Sequence, residues 1–140
     1  MTKRKRTTAV LCGLFLCASV AAGCITTRRP VPADEFPYGI TISENYWIGE
    51  GNERHAEFNI GTVRKGDIIY EGHGYRLTAG NTYDESVEIK QDGGLVEANA
   101  DGSLNASRAT EDSYTVRRGC TTVLRSYSLN TGVILEIRTG

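Results

Sequence analysis

Histidine, methionine, tryptophan and proline are scarce, with two, one, one and three residues in a chain of 140. His55 and His73 lie eighteen positions apart, and neither has a partner at HxH or HxxxH spacing, so no zinc site can be read from the sequence. A GxSxG elbow is absent as well, which removes the usual signature of a serine hydrolase. Beyond the first few residues the basic side chains are scattered, so a nucleic-acid partner has no support. Long apolar runs are missing too. The longest falls short of the roughly 20 residues needed to span a bilayer, and no later stretch keeps an apolar period of 3.6 over three turns.

What the chain does have is concentrated at its start. Lys3, Arg4, Lys5 and Arg6 form a basic cluster ahead of an apolar stretch over residues 9–20, the pattern of a secretory signal peptide. The stretch ends in Ala21-Ala22-Gly23-Cys24, which resembles the lipobox of bacterial lipoproteins over residues 1–24 only. The resemblance implies cleavage before Cys24 and a diacylglycerol held in thioether linkage on its sulfur. Ala21 stands where the family favours leucine. Ile25, which is not aspartate, implies the outer membrane by the family's sorting pattern if the organism has two membranes. Two or more acyl chains are enough for stable anchoring, since each buried methylene contributes about 0.8 kcal/mol. The expected location is therefore the cell envelope, lipid-anchored, with the membrane as one partner.

Processing changes the composition that follows. Removing 23 of 140 residues leaves 117, enough for one domain, and the four lost basic residues leave twelve against seventeen acids, a net charge of −5. Cys12 and Cys17 would leave with the signal and Cys24 would carry lipid. Cys120 would then stand alone, either buried or bridging to another molecule, with no disulfide within the chain.

Residues 24–37 hold all three prolines and few apolar side chains, and are expected to form the lipidated cysteine and an extended tether. From residue 38 short runs rich in isoleucine, valine, threonine and tyrosine alternate with glycine, asparagine and aspartate at intervals of about ten. The expected organisation is a signal peptide over 1–23, which would form a helix, the tether, and a single all-β domain over 38–140. Its architecture is expected to be a small antiparallel β-sandwich or barrel, with Trp47, Phe58, Ile60, Tyr75, Leu77, Val116, Leu124 and Leu135 inside. His73, between two glycines, is expected to be a solvated residue at a turn tip.

Three sets of residues bear on chemistry. Glu97, Asn99, Asp101 and Asn105 fall at the oxygen positions of a calcium-binding EF-hand loop, with Gly102 at the required glycine. Arg108 stands where a bidentate glutamate should close the shell, so an Asp-Gly turn between strands is the stronger expectation. Carboxylates such as Asp67 and Glu71 offer a small hydrolase acting on envelope polymers, although no spacing marks a catalytic pair. Seven tyrosines and Trp47 supply surface able to stack on a sugar or anchor a protein. The combined expectation is a binding or structural module whose ligand is an envelope protein or cell-wall glycan, with no cofactor, no assigned metal and no catalytic residue. A small hydrolase and a calcium-binding domain stand as alternatives.

Overall fold

The strand rhythm of the sequence is realised almost run for run. In the computed structural model, which describes residues 29–99, 101–108, 111–127 and 130–140, the regular elements are antiparallel strands and one 3-10 turn at Ala106–Arg108. The strands are β1 (Glu35–Phe36), β2 (Ile40–Ile48), β3 (Glu53–Ile60), β4 (Val63–Arg64), β5 (Ile68–Gly72) and β6 (Tyr75–Thr82). They continue with β7 (Ser86–Asp92), β8 (Val96–Glu97), β9 (Ser113–Arg117), β10 (Thr121–Arg125) and β11 (Thr131–Thr139). The signal helix and Cys24 lie outside the described residues. Among the described residues no helix is long and apolar enough to cross a membrane.

Two sheets face each other. One has the order β3-β2-β11-β10-β8 and the other β5-β6-β7-β9, while β1 and β4 form a short separate pair. Period-two alternation explains why they stack: Val133, Leu135 and Ile137 of β11 are fully buried, and Glu136 and Arg138, alternating with them, face outward. Opposite them Leu77, Val87, Ile89 and Val116 close the core. Of the two architectures expected, this is the sandwich.

At the β9–β10 corner the sheets are joined by the backbone. Gly119 N donates to Thr139 O at 3.2 Å and the Thr139 hydroxyl to Arg117 O at 2.6 Å. On the opposite side the outermost strands are β3 and β5, and Phe58 and Tyr70 meet across the gap edge to face at 5.9 Å.

Three expectations change. The tether is part of the domain from Val31 onward: Asp84 N donates to Val31 O, Ala33 N donates to Thr82 O, and β1 pairs with β4. The cause is Phe36, an apolar side chain in a stretch otherwise fit for solvent, which is fully buried. Burying it contributes about 2–3 kcal/mol, enough to hold a two-residue strand. Phe58 has the expected parity but is 42 % exposed, because β3 is the last strand of its sheet and overhangs the core. Trp47 faces the outer surface of the sheet, paired laterally with Gly132.

Candidate functional site

The alternation of β2 runs Ile40, Ile42, Glu44, Tyr46 on its inward face. A carboxylate therefore sits in a row of core residues, beside Leu135 on β11 and Ala56 on β3. An unpaired charge there would cost several kcal/mol, so its partners decide whether the fold tolerates it. Both come from the opposite sheet. The buried Tyr70 hydroxyl on β5 donates to Glu44 Oε2, and His73 Nε2 lies 3.3 Å from Glu44 Oε1. Burial first, and then the hydrogen bond to Glu44, raise the Tyr70 phenol well above the ordinary tyrosine range.

The local backbone is shaped to deliver His73. Gly72 and Tyr75 pair across a two-residue turn, and both residues of that turn have positive φ, 53° at His73 and 84° at Gly74. Histidine in the left-handed region costs of order 1 kcal/mol, a cost that surrounding contacts must offset. They are the Glu44 bond and a parallel stack on Tyr46, with ring centroids 3.6 Å apart and planes at 12°. Gly72 is required by close approach, since a Cβ there would lie 2.9 Å from the Tyr70 hydroxyl oxygen. The result is a carboxylate, an imidazole and two phenols joined across the β3–β5 side of the sandwich, with His73 part-exposed and Glu44 nearly closed off. Such a set pins the β5–β6 turn to β2.

His73 thus occupies the turn tip that its flanking glycines imply, but it is engaged with Glu44 and Tyr46 where a solvated side chain is expected. Glu44 has no motif around it. Its one signal in the sequence is parity, since counting by twos from Ile40 puts it inward.

The other expected residues are held locally. Asp101 Oδ1 accepts from the Ser103 backbone at 2.9 Å and from its hydroxyl, and these bonds lower its carboxyl below the usual range. Asn99 donates to the Ser103 hydroxyl at 3.0 Å, and Asn105 Oδ1 accepts from Ser107 at 2.6 Å. The Ala98–Leu104 bridge closes the turn, and Glu97 lies on β8 beside Leu124 of β10. Asn99, Asp101 and Asn105 are thus engaged with serines of their own turn. Among the described residues no group of three or more histidine, cysteine or acidic side chains is placed to share a metal ion. Asp67 Oδ2 accepts from Arg64 N at 2.8 Å, while Glu71 pairs with Arg76 at 2.6 Å on the exposed surface. His55 contacts Asn45 at 2.9 Å.

Cys120 is buried, the first of the two roles expected of it. Its burial places the sulfur at the β9–β10 corner, where the two sheets are joined.

The fold and this polar bridge define an antiparallel β-sandwich with a buried carboxylate shared between its sheets. Compared with known families, curated proteins and solved structures, the chain matches none.

Proposed function

We propose that this chain is an exported protein held at a membrane surface through lipidated Cys24, whose sandwich acts by binding or structural association in the cell envelope. The observation that carries the reading is the run from Lys3 to Cys24, basic, then apolar, then small residues before a cysteine. A domain that begins at Val31, seven residues beyond Cys24, fits an anchored arrangement, since the intervening chain reaches at most about 25 Å. The outer membrane is the proposed site where the organism has two. An envelope protein or cell-wall glycan is the proposed partner, met by the aromatic and polar groups of the β3–β5 side.

The test is the intact mass and membrane partition of the protein purified from its own cells. A diacylglycerol adduct on a chain starting at Cys24, lost together with membrane partition in Cys24→Ser, is the expected result. An unmodified chain in the soluble fraction would end the anchoring reading.

A further inference from the structure

We propose that β3 is the contact between two copies of this chain, pairing antiparallel with itself about a two-fold axis at Ala56. This rests on the binding reading and names its partner.

β3 is the outermost strand of the five-stranded sheet, eight residues long, in unbroken register with β2 from Ile40–Ile60 to Trp47–Glu53. It contains neither proline nor a bulge, two of the devices that blunt an edge, and its charges are Glu53, Arg54 and Glu57. Both of its faces are open: six of its residues are exposed, and Ala56 and Ile60 are half-buried. The hairpin closes with Ile48 N donating to Asn52 O at 3.1 Å. Counting by twos from that bond, Arg54, Ala56 and Phe58 turn their backbone groups toward β2, while Glu53, His55, Glu57 and Asn59 turn theirs to solvent.

A second copy continues the sheet only if inward residues meet inward residues, so the axis must pass through a residue of the strand. The side chains decide which one. Centring on His55 places Glu53 opposite Glu57 twice, centring on Glu57 or Arg54 sets like charges face to face at the axis, and centring on Phe58 overlaps only residues 56–60 of the strand. Centring on Ala56 pairs His55 with Glu57 on the outer face and Arg54 with Phe58 on the inner face, each twice, and sets Glu53 against Asn59. It also puts the smallest side chain of the strand at the close, non-hydrogen-bonded pair on the axis. The neighbours are already arranged for it. His55 donates through Nδ1 to Asn45 Oδ1, so an imidazolium at His55 would offer its Nε2–H to Glu57 of the second copy. Glu57 keeps Arg138 at 3.3 Å as a flanking cation.

Sedimentation of the full chain in density-matched detergent tests this across a concentration series. A dimer is expected. Glu57→Arg, which sets a guanidinium against His55 and Arg138, is expected to weaken it at least about ten-fold, and adding His55→Glu to that variant is expected to restore it by reversing the pair. Thermal melts of each variant monitor folding separately. A monomer at every concentration overturns the proposal, as does a dimer that Glu57→Arg leaves intact in a folded protein. A folded monomer that still carries lipid and captures a different envelope partner overturns self-pairing while leaving the binding reading in place.

Discussion

Tyr70 is the residue on which the buried charge of Glu44 depends. Its hydroxyl is buried and supplies one of the two partners of an inward-facing carboxylate, so Tyr70→Phe removes a donor and leaves that acceptor short. The expected loss is about 2 kcal/mol, readable as a shift in the urea midpoint with an unchanged slope. The phenol also fixes a pH dependence. Its folded-state pKa is raised, so the folded protein holds that proton longer than the unfolded chain does. The contribution is therefore complete below about pH 10 and is lost as pH rises above it, and the alkaline fall in melting temperature should be shallower in Tyr70→Phe. Gly132 makes a different demand at the same scale. A Cβ there would sit 2.5 Å from Trp47 Cζ2 and against the Ser126 hydroxyl, so Gly132→Ala should destabilise by about 1–3 kcal/mol and shift Trp47 fluorescence.

Among the elements, β1 departs furthest from what its residues suggest in isolation. The prolines of residues 30–37 mark extended chain, and extended chain is also what an edge pair requires; the deciding contribution is Phe36, whose burial depends on Val63 and β4 being nearby. Tertiary context of that kind leaves no local trace. Phe36→Ala should cost about 3–4 kcal/mol in chemical denaturation, and protease should then cut near residues 30–37 before the sandwich unfolds. The long strands were legible because β7, β9 and β11 alternate cleanly, Val87 with Ile89, Tyr114 with Val116, and Leu135 with Ile137. β2 was less so: Ser43, Glu44 and Asn45 read as a polar break between two short runs, yet they continue one nine-residue strand. The polar row there is inward at Glu44 and outward at Ser43, where Arg138 donates at 3.0 Å. The site was hidden for the same reason, since Glu44, Tyr70 and His73 come from two sheets and share no spacing in the sequence.

At the scale of the molecule, the sandwich is closed by backbone at the β9–β10 corner and, among the described residues, by side chains along β3 and β5. Local opening should therefore start on the β3–β5 side. Hydrogen exchange is expected to be fastest in β3 and the β5–β6 turn and slowest in β11, which is flanked on both sides by long partners; uniform exchange across the two sheets would contradict this.

The two-residue pairing of β1 with β4 has a mechanical consequence. A pull on the amino-terminal end reaches that short pair and the Pro32–Tyr83 bridge before it reaches the nine-residue ladder between β2 and β11. The first strand is thus a fuse: under tension it should peel off at low force, release the few residues from Val31 to Gly39 and expose Phe36, while the sandwich stays whole. Optical-trap extension of the folded protein should show this as a small reversible step preceding the main rip, and Phe36→Ala should erase it.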